Sequence, residues 1–206
     1  MKTKISGWIS FLWLAGFFVL LLAFGKMILP KFFKNIHPLP VLGQVADFRL
    51  TERSGKEISL QDLKGKPWIA DFIFTRCAGI CPMMSGHMRK LQDSLKKNDI
   101  RFVSFSVDPE YDNVERLKEY AARFQADPEK WFFLTGDKKV IFNLSLKSFY
   151  LGVGDVAPGE EAAPDQVVTH SSRFALVDAD GAVRGYYDGD KPEALESLLR
   201  DIRKIS

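Results

Sequence analysis

Cysteine is almost absent from this chain: there are two in 206 residues, Cys77 and Cys81, both inside the stretch CAGIC. So few thiols exclude a disulfide-stapled scaffold, and the length is enough to bury a hydrophobic core without one. Charge is missing altogether between Ile5 and Gly25 (ISGWISFLWLAGFFVLLLAFG). Arginine and acidic residues are missing from the first 35 positions, where the only charges are five lysines. Taking these five from the net charge of +3 leaves −2 for the remainder, so the basic balance belongs to the N-terminal end. The remainder has no clustered basic face of the kind nucleic-acid binding requires, and no repeat or low-complexity tract.

The uncharged run of 21 residues would span roughly 30 Å as a helix, the hydrocarbon thickness of a bilayer. A cleaved signal peptide has a shorter apolar region of about 7–15 residues and a small-residue cleavage site, for which Ala23-Phe24-Gly25 is a poor match. One transmembrane anchor is therefore predicted. Lys2 and Lys4 precede it while Lys26, Lys31 and Lys34 follow, so lysines alone do not fix its direction. The working orientation is a short internal tail with the bulk of the chain exported. Residues 28–43 (ILPKFFKNIHPLPVLG) hold three prolines and read as a linker. The expected organisation is tail and anchor over 1–29, linker over 30–44, and one folded domain over 45–206.

Within that domain, two alternating segments around Ser54-Gly55 predict a hairpin, and PWIADFIF predicts a buried strand. Met84, Met88, Leu91 and Leu95 fall on one face of a helix running to about Lys97. RFVSFSV predicts the next strand. Asp112 with Glu115 reads as the capping box of a second helix, whose inner side carries Val114, Leu117, Ala121 and Phe124. WFFLT is a further strand, 138–150 a further helix, and GVGDVAPGEEAAPDQ an acidic loop with Glu160 and Glu161 at its centre. RFALVDADGAVRGYY predicts two strands joined at residues 178–181, and a last helix opens near Pro192 with Leu195, Leu198, Leu199 and Ile202 inward. The fold class is α/β, a thioredoxin-like layer sandwich with an N-terminal transmembrane helix.

In that layout Cys77 and Cys81 occupy the loop after a central strand, at the carboxyl end where α/β sheets place their sites. Pro82 suits the first turn of the following helix. Cys81 at the mouth of that helix is expected to have its thiolate stabilised by free amides and the helix dipole. A structural disulfide across so short a loop contributes only about 2 kcal/mol on the chain-entropy formula. The pair therefore points to redox chemistry or to metal. Two sulfurs are an incomplete site for most metals; of the histidines, His37 lies in the linker, His87 on the helix, and His170 in VVTHSSRF. In a thioredoxin-like layout the last segment passes opposite the cysteine loop, which makes His170 the natural third ligand. Asp71, within an apolar strand, either supports the site from inside or faces solvent at a sheet edge. Asp108-Pro109 shapes a turn. Met84 and Met88 belong to the core, while Met83 is free to meet an ion or a partner.

The motifs FTRCAGICP, SFSVDPEYD and VTHSSRFALVDADG, in this order over roughly residues 44–204, resemble the Sco/SenC family, membrane-anchored copper proteins of cytochrome c oxidase assembly. The resemblance implies one copper ion, Cu(I) or Cu(II), held by Cys77, Cys81 and His170. Thiolates favour Cu(I) and imidazole accepts both states; a zinc site with an open position is the formal alternative. Many relatives carry His or Tyr before the first cysteine and Pro after it, where this chain has Arg76 and Ala78, and an Asp where this chain has Thr169. No proline stands before Arg173, where thioredoxin-type oxidoreductases place one beside their dithiol.

The function this implies is a metallochaperone, not primarily an enzyme, that delivers copper to the CuA-bearing subunit of cytochrome c oxidase, served by an upstream copper donor and a thiol reductant. The alternative is a thiol-disulfide reductase in which Cys77 and Cys81 keep that subunit's cysteines reduced. The expected location is the bacterial inner membrane, single-pass, with the domain in the periplasm; an Arg-rich mitochondrial presequence is absent.

Overall fold

The computed structural model describes residues 39–151 and 172–205, together with Trp13 and Phe17. The chain divides into two units, Met1–Pro38 and Leu39–Ser206. In the first, Trp13 and Phe17 are helical and exposed; the rest of the expected span and the linker to Pro38 lie outside the described residues. Among the described residues no helix is long and apolar enough to cross a membrane.

The second unit is built on an eight-stranded sheet in the order β1-β8-β7-β4-β5-β6-β2-β3. Its strands are β1 (Gly43–Gln44), β2 (Arg49–Glu52), β3 (Glu57–Ser59), β4 (Trp68–Ile73), β5 (Arg101–Ser106), β6 (Trp131–Thr135), β7 (Arg173–Val177) and β8 (Ala182–Asp188). The helices are α1 (Leu60–Leu63), α2 (Ile80–Ser94), α3 (Val114–Arg123), α4 (Lys138–Asn143), which continues as a π-helical turn over Leu144–Ser148, and α5 (Pro192–Ile205). β4, β5 and β6 run parallel, and β7 lies antiparallel against the other side of β4. β1, within the stretch read as linker, pairs with β8.

Every residue of β4 is buried, because a central parallel strand is covered on both faces. Alternate side chains go to opposite layers. Ile69 and Ile73 pack with Met84, Met88 and Leu91 of α2, Leu117 and Tyr120 of α3, and Leu198 and Ile202 of α5. Trp68, Ala70 and Phe72 pack on the other face with α1 and α4 and with Phe105 and Phe149. The hairpin β2–β3 turns through Gly55 at φ +84°, a left-handed conformation that glycine adopts without strain. The predicted strands and helices of the domain are thus present.

One helix start differs. The N-cap of α3 is Asn113, whose side chain accepts from the Arg116 N–H at 3.0 Å. Asp112 is wholly buried and works elsewhere.

Candidate metal centre

The chain leaves the sheet at the end of β4 and reaches α2 through residues 74–79. The Cys77 N–H donates to the Phe74 carbonyl at 3.2 Å, which tightens the loop so that Cys77 returns over the mouth of α2. There its Sγ accepts from the Cys81 N–H at 3.4 Å. Cys81 is the second residue of α2 and turns its side chain into the core, 2 % exposed; Cys77 is half-buried.

This divides the two thiols electrostatically. Partial burial opposes a Cys77 thiolate, but the amides of Cys81, Gly79 and Ile80 and the Cys81 thiol outweigh it, so its pKa falls below the usual thiol value. Burial pushes Cys81 up to about 12; the Phe74 backbone offsets this in part, while Cys77 and Asp71 add to the rise. From the sequence, the helix mouth is expected to serve Cys81. The geometry gives it to Cys77, because the free amides point outward along the helix axis and the Cys81 side chain points sideways into the layer beneath.

Asp71 does not face solvent: it is 0 % exposed, on the β4 face that carries Ile69 and Ile73. Among the described residues, neither carboxylate oxygen has a hydrogen-bond partner at bonding geometry. Its ladder partner Ser104 accepts from Trp131 Nε1 at 2.9 Å and offsets the burial only in part. Burial therefore raises Asp71 to about 7. Its charge would in turn oppose ionisation of both Cys81 and Tyr120, the latter hydrogen-bonded to Ser85 at 2.9 Å.

Asp112, which periodicity made a cap, instead accepts from the Thr75 N–H at 3.0 Å, the Thr75 hydroxyl at 2.5 Å and the Ser106 hydroxyl at 2.6 Å. It thereby ties the cysteine loop to the end of β5. Asp108 accepts the Tyr111 and Asp112 amides on its carbonyl, the expected turn, and its carboxylate holds Arg76. The one sequence signal for this was position: a carboxylate just beyond the strand that neighbours β4.

Met84 and Met88 are core, and Met83 is 40 % exposed beside the cysteines. His87 contacts the Gly189 carbonyl through Nδ1 at 2.6 Å, which occupies it structurally. His37, His170 and the acidic loop lie outside the described residues. Among the described residues no group of three metal-binding side chains assembles. The register does show where β7 begins: Ala175 pairs with Ala70, so Arg173 starts beside the carboxyl end of β4, where the chain departs toward Cys77.

A dithiol of one accessible and one buried sulfur, at the strand-to-helix mouth of a sheet covered on both faces, defines a thioredoxin-like protein. The SCO1/SenC family model matches residues 42–206, and the chain belongs to that family. It is 41% identical over 170 residues to the SCO1 protein homolog of Bacillus subtilis (strain 168), covering 81% of this chain and 85% of the relative. Among solved structures it is similar to BsSco, a member of the Sco family of cytochrome c oxidase assembly proteins in which a disulfide switch was identified, with a TM-score of 0.69 and 38% identity over 82% of this chain and 96% of that one. It is similar also to Bradyrhizobium japonicum ScoI with copper bound, with a TM-score of 0.61 and 26% identity over 76% and 98% of the two chains.

Proposed function

We propose that this protein is a membrane-anchored copper metallochaperone that delivers one copper ion to the CuA-bearing subunit of cytochrome c oxidase. Cys77, Cys81 and His170 are its ligands. The observation that carries the reading is the asymmetric dithiol. Cys77 is accessible and its thiol pKa lies below the usual value, whereas Cys81 is sealed beneath it with its pKa pushed up, so an ion would be met first by Cys77 and then closed upon by Cys81. His170 stands three residues before Arg173, and β7 begins beside the end of β4; an extended chain of that length reaches about 10 Å, which supports the imidazole as third ligand. Two thiolates and an imidazole suit Cu(I), and three-coordination leaves room for an incoming thiolate of the acceptor to bond before one of the donor's leaves. Residues 1–29 anchor the chain in a bacterial inner membrane, the proline-bearing stretch after them leads to the domain, whose sheet already takes in Gly43–Gln44, and the domain faces the periplasm.

The test is a Cu(I) titration of the detergent-solubilised chain against a chromogenic chelator, followed by transfer to an apo CuA domain. His170→Ala is expected to lower copper affinity by at least about tenfold and to abolish transfer. A variant that binds and delivers like the wild type removes His170 from the site.

The same asymmetry favours a second reading, a reductase in which Cys77 attacks the acceptor's disulfide and Cys81 resolves the mixed disulfide. Under it, His170→Ala leaves reduction of the acceptor intact and oxidase assembly continues without copper binding.

A further inference from the structure

Among the described residues, the side chains that hold the Cys77 loop all come from one side of it. Ahead of Cys77, Thr75 gives its amide and hydroxyl to the buried carboxylate of Asp112, which also takes the Ser106 hydroxyl. Arg76 gives Nε and Nη2 to Asp108 and lies over the Tyr111 ring, 4.3 Å from its centre. Tyr111 is itself fixed by Arg116, whose guanidinium lies 3.5 Å from the ring centre and donates to the Tyr111 carbonyl at 2.9 Å. Behind Cys77, among the described residues, the hold is by backbone amides at the helix mouth, with the Cys81 N–H reaching its Sγ at 3.4 Å, and not by side chains: Ala78 and Gly79 are exposed, and a side chain at Gly79 would meet nothing within 4 Å. Cys81, by contrast, is fixed by α2 and by the core around it.

We propose that Arg76 and Asp112 are positioning residues which, acting through the 108–112 segment, hold Cys77 against Cys81. The proposal rests on the reading of these cysteines as the working dithiol. The physical effect of this clamp is on effective concentration. A sulfur confined near its partner closes a ring at little entropic cost, whether the ring is completed by an S–S bond or by an ion between the sulfurs. If the clamp is released, the open dithiol gains freedom that closure must then remove.

The experiment uses the metal-free full chain equilibrated with mixtures of reduced and oxidised dithiothreitol. Closure forms the Cys77–Cys81 bond, and the two electrons and two protons of the thiols pass to oxidised dithiothreitol, which becomes the dithiol. Asp112→Asn is expected to lower the closure constant about tenfold, a shift of about 30 mV for a two-electron couple. Arg76→Ala is expected to lower it about threefold, and Arg76→Lys, which keeps the ion pair, to recover part of that loss. A denaturation midpoint taken on each reduced variant separates general destabilisation from positioning. If Asp112→Asn does not fold, the two Arg76 variants decide. Closure constants within twofold of wild type in folded variants overturn the proposal, as does tighter closure, which would mean that the clamp holds the sulfurs apart. Copper plays no part in the measurement, so failure of the copper reading would show separately, as weak binding by the wild type.

Discussion

Replacing Asp71 by Asn should change how stability depends on pH far more than it changes the fold. Asp71 is fully buried, no described residue meets its carboxylate at full hydrogen-bonding geometry and Ser104 offsets the burial only in part, so its pKa rises from 3.8 to about 7. In the unfolded chain it ionises near the ordinary value. Between about pH 4 and 7 the folded state therefore holds a proton that the unfolded state has lost, and stability falls as pH rises through this window. A displacement of about three units at 1.36 kcal/mol each corresponds to about 4 kcal/mol. That is a large part of the 5–15 kcal/mol that holds a typical domain together. Asn is nearly the same shape and never ionises. Its buried amide carries a cost of its own, but one that does not vary with pH. Urea unfolding of the reduced protein from pH 4.5 to 8.5 should give a wild-type curve that declines toward neutrality and an Asp71→Asn curve lacking that decline, the two separating by about 3 kcal/mol across the range, since part of the loss is already complete at pH 4.5. The lowered carboxylates of Asp62, Asp99 and Asp188 act in the opposite sense but below this window, and Cys81 and Tyr120 act above it. Parallel curves, to within about 1 kcal/mol, would refute the argument that burial governs this carboxyl.

The cysteines should differ in reactivity: at pH 7.5 iodoacetamide is expected to modify Cys77 at least about tenfold faster than Cys81, as read by peptide mass spectrometry, and equal rates would contradict the assignment of the accessible thiolate to Cys77. Met88→Ala, at a wholly buried site between α2 and the sheet, should cost about 2–5 kcal/mol in denaturant unfolding without altering the copper stoichiometry. A smaller loss would mean that the layer collapses onto the vacancy, and a changed stoichiometry would mean that this methionine is a ligand.

Much of the domain was legible because its elements obey their own periods. The Met84-Met88-Leu91-Leu95 stripe could serve only as one face of a helix, and PWIADFIF, apolar on both sides, only as a covered strand. β1 was missed because two residues carry no period at all; it exists only through its partner β8. Asp112 was misread because a carboxylate one residue before a helical pattern looks like a cap, and nothing local says that Thr75, 37 positions earlier, competes for it.

By itself, then, the sequence determined the α/β alternation, the dithiol at a strand-to-helix junction and the uncharged N-terminal run, all properties of neighbours along the chain. Tertiary structure decided which sulfur keeps the amides, that Asp71 is sealed rather than wet, and that Asp112 grips the cysteine loop. The reason is physical. A pKa and a buried hydrogen bond are set by whatever the sheet order brings alongside, here β5 beside β4 and α3 above it, and residues that approach from tens of positions away leave no trace in a local pattern.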